Sequence, residues 1–254
     1  MNSTVNDVKP NQSKANSDFF AQQDAYYDES LGSNTIKLEN FTKYTSRETI
    51  TRFLARNEVF KKQLDIHGSI LDFGVRRGSS LMTWSHLSAI YEPVNYTREI
   101  VGFDTFDGFP EVDEKDIGSC DEIISKGSLA VEAKMKEDIE RSISLHDKTR
   151  FLGHMKKTRL IQGDILETLP KFLEENRHIT VSLLHIDVDI YAPTKCILEN
   201  ILPKMPKGAV ILFDEVNMKI FPGETIAICE TIGINNLKLN RFDFCPNISY
   251  AILD

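Results

Sequence analysis

The chain has 254 residues, 41% apolar and 27% charged, which reads as an ordinary soluble globular protein of one large or two small domains. Its 38 acidic and 30 basic residues leave a net charge of −8, and with no basic block it does not read as a duplex nucleic-acid binder. No apolar run approaches the about 18 residues of a membrane span, Met1 to Lys14 lacks the apolar core of a secretory signal, and the four scattered cysteines contain no C-x-x-C pair, so the expected setting is the reducing cytoplasm.

Met1 to about Asp18 is rich in Asn, Ser, Gln and Lys and has little to bury, so it is expected to be disordered. Phe19, Phe20, Tyr26 and Tyr27 follow, and residues 1–39 read as a flexible polar leader plus an aromatic arm that could dock on a partner or an active-site mouth. Thr45 to Leu64 reads as a helix, with Thr45-x-x-Glu48 at capping-box spacing. Strands are expected at Ser69–Phe73, Ile100–Phe103, Arg159–Gln162, Val181–Ile186 and Ala209–Phe213. Helices are expected at Ser79–Tyr91, Thr168–Asn176, Thr194–Leu202 and Glu224–Gly233. Two closing strands, Lys238–Phe244 and Ser249–Leu253, join at Cys245-Pro246-Asn247 like a hairpin. The alternation predicts an α/β fold, Rossmann-like and doubly wound, with a mostly parallel sheet and one antiparallel closing strand. Residues 40–254 form this domain, interrupted by a lid-like insertion near 111–150 whose helix is expected over Ser128–Leu145, with Glu132, Lys136 and Glu140 able to pair along one face.

The chemistry gathers where strands end. Asp72-Phe73-Gly74-x-x-x-Gly78 joins the first strand to a helix. Gly74 and Gly78 there let a backbone approach a ligand, although a tight strand-to-helix turn accounts for them equally. Arg77 is either a fork for a ligand carboxylate or a surface arginine. Asp104 ends the second strand, where an acid can accept both hydroxyls of a ribose. Gln162 and Asp164 flank Gly163 at the end of the third, where a polar group could face an adenine or simply make a turn. Asp187, Asp214 and Glu215 close the fourth and fifth strands, and three carboxylates drawn together there would repel unless protonated or bound to a cation. An oxygen-only set with few ligands suits Mg²⁺. His185, which alternates with Asp187, is a base or a core histidine.

These residues resemble class I S-adenosylmethionine-dependent methyltransferases, and more narrowly the macrocin O-methyltransferase group with its deoxyhexose 3-O-methyltransferase relatives. The resemblance runs over about residues 40–254. It is carried by Arg52-Phe53-Leu54-Ala55-Arg56, by Asp72-Phe73-Gly74-Val75-Arg76-Arg77-Gly78, and by Gly102-Phe103-Asp104-Thr105-Phe106-Asp107-Gly108-Phe109-Pro110. Leu184-His185-Ile186-Asp187-Val188-Asp189-Ile190-Tyr191, Phe213-Asp214-Glu215 and Pro222-Gly223-Glu224 complete it. It implies a seven-stranded sheet, S-adenosylmethionine as methyl donor, Mg²⁺, and as acceptor a small molecule such as a sugar nucleotide or glycosylated metabolite, often with a homo-oligomeric enzyme. It matches Gly74 and Gly78 to the cofactor turn, Asp104 to the ribose contact, and Asp187, Asp214 and Glu215 to the metal ligands. The carboxylates are also similar to those of catechol O-methyltransferase, which has a lysine base three residues past its first metal aspartate. Ile190 stands there in this chain, which leaves Asp189, His185 or Asp187 as the base. An NAD-linked Rossmann oxidoreductase is the first rival, disfavoured by the missing G-x-G-x-x-G. A non-catalytic methyltransferase-like binding subunit is the second.

Overall fold

The computed structural model describes residues 14–118 and 124–254. The chain divides after Phe53 into two compact units. The expected disorder of Met1 to Asp18 falls mostly outside the described residues, but Lys14 onward is already helical. Helix α1 covers Lys14–Glu29 and α2 Asn34–Glu39. Within this N-terminal unit the aromatics gather on Tyr44. Tyr26 stacks on it at 5.7 Å, Tyr27 meets it edge-on at 5.3 Å, and Gln23 donates to its carbonyl.

Helix α3 spans Arg47–Lys62. Its cap is Ser46 rather than Thr45, since Ser46 Oγ accepts from the Thr49 amide at 3.2 Å. Both residues have a suitable hydroxyl, and the one nearer the first helical residue reaches the free amide.

In the second unit the strands are β1 (Ser69–Phe73), β2 (Ile100–Asp104), β3 (Thr158–Gln162), β4 (Val181–Ile186), β5 (Val210–Phe213), β6 (Asn240–Phe242) and β7 (Cys245–Ile252). They form one sheet in the order β3-β2-β1-β4-β5-β7-β6, and β7 is antiparallel to both of its neighbours. The seven-stranded sheet with one antiparallel closing strand is therefore as expected. The hairpin turn is not. It lies at Asp243-Phe244, because Phe242 pairs directly with Cys245. Pro246 enters β7 before the stretch, Ser249 onward, that pairs with β5, so its missing N–H interrupts little of the ladder.

The helices are α4 (Ser79–Tyr91), α5 (Met135–Asp147), α6 (Ile165–Glu175), α7 (Tyr191–Ile201) and α8 (Pro222–Thr231). One sheet face buries Ile70, Ile100, Leu183, Val210 and Leu212 against Val59 and Phe60 of α3, Trp84 of α4 and Ile139 of α5. The other buries Leu71, Phe103, Leu184, Ile186 and Phe213 against Phe172 of α6, Leu198 of α7 and Ile228 of α8. This is the doubly wound arrangement. Helices α6 to α8 start two or three residues earlier than expected. Asp164 caps α6, while Pro193 and Pro222 sit in first turns, where no amide partner is lost. The insertion helix starts later, at Met135 rather than Ser128. Gly127, Leu129 and Lys134 all have positive φ, which a right-handed helix cannot contain.

Strand order reverses between β1 and β4, and ligands of such sheets bind outside the carboxyl ends at that switch point. Gly74 follows β1 and Asp187 follows β4, so the fold itself brings the two sequence motifs together.

Candidate active site

The turn after β1 is built around Asp187. Gly74 has φ +91°, its amide donates to Phe103 O at 2.9 Å, and the Asp187 amide donates to Phe73 O at 2.9 Å. A Cβ on Gly74 would stand 1.7 Å from the Asp187 carbonyl oxygen. Glycine is therefore required here by contact with the neighbouring strand end as well as by its φ. Gly78, with φ +88°, precedes α4, and a Cβ there would lie 3.0 Å from Ile139 of α5.

Asp104 is drawn back to this turn across 28 residues. Its Oδ2 accepts from the Arg76 amide at 2.7 Å and its Oδ1 from the Phe106 amide at 2.6 Å. Burial pushes its carboxyl upward, against the two amides, which favour the charged form. Each oxygen keeps a second lone pair for a ligand hydroxyl.

Two of the expected ligand-facing side chains also have partners within the chain. The Arg77 fork is taken by the chain's own Glu132, at 3.0 and 3.1 Å. It ties the insertion to the glycine turn, and Glu132 is thereby removed from the expected helix-face row, leaving Lys136–Glu140 at 3.3 Å. Asp164 uses Oδ1 to cap α6 through the Leu166 amide at 2.9 Å. Gln162 is exposed at the end of β3, with Nε2 3.5 Å from Thr105 O.

At the ends of β4 and β5, one carboxylate oxygen each from Asp187, Asp214 and Glu215 lies within 4.8 Å of the others. Asp187 is half-buried, and Asp214 and Glu215 are buried. Burial first, then the charges of Asp189, Asp214, Asp187 and Glu224, push Glu215 up to about 11. Glu224, in the first turn of α8, is wholly buried, and its Oε1 accepts the Glu215 amide at 3.0 Å. Burial holds it well above the ordinary carboxylate range. Glu215 Oε2 and Glu224 Oε2 are both buried with no hydrogen-bond partner. Five carboxyls crowded together with two unsatisfied oxygens call for protons or a cation. The donor set, all oxygen and strongly anionic, fits a hard divalent ion held by Asp187, Asp214 and Glu215.

Asp189 is half-buried with φ +62°, and its charge is the first to act on Glu215 after burial. His185 does not join the cluster. It has no exposed surface, its Nδ1 bonds Asp72 Oδ1, and its ring meets Trp84 edge-on at 5.7 Å. Ser80 Oγ completes the Asp72 carboxylate at 2.8 Å. A base must touch its substrate, so His185 is a core residue that anchors β4 to β1 and α4.

The insertion's acidic loop is anchored rather than free. Asp116 is buried, with Oδ1 accepting from the Tyr191 amide at 2.6 Å, and a Cβ on Gly223 would fall 1.9 Å from that oxygen. Lys115 pairs with Glu230 at 2.7 Å and lies over the Tyr191 ring. Sequence reasoning passed over Asp116 and the depth of Glu224. Nothing marks Asp116 among its acidic neighbours, whereas Pro222-Gly223-Glu224 is a visible helix start.

Residues 45–229 match the family model of macrocin-O-methyltransferase (TylF). The crystal structure of CalS11, a calicheamicin methyltransferase, is similar with a TM-score of 0.90 at 32% identity, over 95% of this chain and 93% of that one. An apo structure of CalS11, described as a TDP-rhamnose 3'-O-methyltransferase of calicheamicin biosynthesis, gives 0.83 at 28% identity over 97% and 98%. The O-methyltransferase NovP shares the fold, with a TM-score of 0.61 at 20% identity over 80% of each chain. No curated protein sequence matches the chain. Among the described residues, no helix is long and apolar enough to cross a membrane.

Proposed function

Because the chain belongs to the macrocin O-methyltransferase family and is an S-adenosylmethionine-dependent O-methyltransferase, we propose that it methylates a hydroxyl of a sugar or sugar-containing metabolite in a Mg²⁺-dependent reaction. The observation that carries this reading is the Asp187, Asp214, Glu215 cluster, locked by backbone contact to the glycine turn. Family membership sets aside the oxidoreductase and the non-catalytic subunit.

In this reading the Gly74–Gly78 turn and Asp104 hold the nucleoside part of the donor, with Asp104 accepting from the ribose and Gln162 beside the adenine. Asp187, Asp214 and Glu215 would hold Mg²⁺, which would supply a lowered pKa for the acceptor hydroxyl. Asp189 takes the proton. It is the half-buried acid next to the cluster that is not itself a proposed ligand, and a carboxylate so placed would serve as general base. The CalS11 likeness favours a nucleoside-diphosphate deoxysugar as acceptor. A methyl-transfer screen of sugar nucleotides against glycosylated metabolites, with and without Mg²⁺, tests both parts. Metal-dependent transfer to a sugar hydroxyl is expected, and transfer to neither class would refute the reading.

A further inference from the structure

Asp189 stands on a loop with an uncommon backbone. Its φ of +62° lies in the left-handed region, and the next amide, that of Ile190, donates back to Val188 O at 2.7 Å. Such a conformation is costlier than the ordinary wells and persists where its surroundings fix it. One end of the loop is fixed at Asp187, whose amide donates to Phe73 O and whose carbonyl oxygen fills the space over Gly74. The other end is Tyr191, the first residue of α7, and it is fixed from the insertion. The Tyr191 amide is one of the first amides of its helix, which have no intrahelical partner. It donates to Asp116 Oδ1 at 2.6 Å, while Asp116 Oδ2 accepts from the Asp113 amide at 2.9 Å. Asp116 is 1% exposed. Gly223 in the first turn of α8 makes room for it: a Cβ there would fall 1.9 Å from Asp116 Oδ1 and 2.6 Å from Tyr191 N. Lys115 lies 4.0 Å from the centre of the Tyr191 ring and pairs with Glu230, which accepts from the Tyr191 hydroxyl. Two consecutive residues of the insertion therefore hold Tyr191 by its amide and by its ring. Only Val188, Asp189 and Ile190 lie between the two fixed points.

We propose that Asp116 is a positioning residue, which from the insertion fixes the α7 end of the Asp187–Tyr191 loop and so sets where the Asp189 carboxylate stands beside the acid cluster. The inference rests on the reading of Asp189 as the base. A misplacement of about 1 Å can cost about a hundredfold in rate, so a carboxylate that touches only backbone amides can govern kcat through the loop it holds. The insertion thereby takes part in the reaction through a buried side chain and two amides.

A double-mutant cycle with Asp189 tests this. Asp116→Ala should lower kcat per folded molecule by roughly ten- to a hundredfold, with S-adenosylmethionine affinity by calorimetry nearly unchanged. Asp116→Asn keeps an oxygen for the Tyr191 amide and should recover much of that loss. In an Asp189→Asn background the same Asp116→Ala change should lower kcat little further, because the loop no longer carries a base to misplace. If Asp116→Ala fails to fold, Gly223→Ala takes its place in the cycle, since its methyl displaces the carboxylate from the Tyr191 amide and leaves it charged. Full kcat in the folded Asp116→Ala or Gly223→Ala enzyme would overturn the assignment and leave the base in place. So would an equal fractional loss with and without the Asp189 carboxylate, which is the mark of a merely structural role. Unchanged kcat in Asp189→Asn alone would overturn the assignment together with the reading beneath it.

Discussion

Gly74 and Asp187 meet backbone to backbone: the space a Gly74 Cβ would need is filled, at 1.7 Å, by the Asp187 carbonyl oxygen. The proposed donor turn and the first proposed metal ligand are therefore one rigid unit at the β1/β4 switch point. Gly74→Ala must break this contact and also adopt φ +91°. A loss of roughly 2–5 kcal/mol in denaturant unfolding is expected, with donor and metal binding impaired together. A variant of normal stability that loses donor binding alone would show the two sites to be independent.

Asp104 serves two backbone amides and, in this account, the donor ribose. Asp104→Ala should weaken S-adenosylmethionine binding by about 1.5–3 kcal/mol, read by calorimetry. Unchanged affinity would remove Asp104 from the donor site.

The acid cluster gives the metal-free protein a pH dependence of definite sign. Glu215 titrates near 11 when folded against an ordinary 4.5, so the folded state holds a proton that the unfolded chain releases. That contribution is complete below pH 4.5 and is lost progressively as pH rises toward 11, by at most about 1.4 kcal/mol per pH unit. Metal-free protein should therefore unfold more easily at pH 8.5 than at pH 6.5. Mg²⁺, by replacing the proton, should flatten this slope and bind more tightly at the higher pH. Identical pH profiles with and without Mg²⁺ would separate the cluster from the metal.

Asp189 and His185 should part company under mutation. Asp189→Asn is expected to lower kcat by about 10²–10⁴ with donor affinity and melting temperature nearly unchanged. His185→Ala leaves Asp72 buried without its partner and should cost roughly 3–5 kcal/mol of stability, while the folded fraction keeps its kcat. The opposite pattern would return the base role to His185.

Much of this site is legible in the residues themselves. Runs such as Val181–Ile186 and Val210–Phe213 are mostly apolar because helices cover both sheet faces, and the acids that follow them mark the strand ends. Local competition is harder to read. Thr45 and Ser46 both offer a hydroxyl, and Pro246 suggests a turn although it enters a strand. Arg77 next to a glycine turn suggests a ligand contact, and only the fold reveals Glu132 beside it, 55 residues on. Arg56 and Glu224 lie on helices, where a charged residue ordinarily faces water, so their burial depends on packing that no spacing encodes.

The most direct test of the account is methyl transfer from labelled S-adenosylmethionine to a responsive sugar acceptor under full chelation, with donor binding measured in the same samples. Chelation is expected to abolish transfer, and added Mg²⁺ to restore it, while donor affinity barely moves throughout. Asp214→Asn should reproduce the chelated state and should not respond to Mg²⁺. Turnover at the normal rate in fully chelated enzyme would contradict the proposed metal role of Asp187, Asp214 and Glu215.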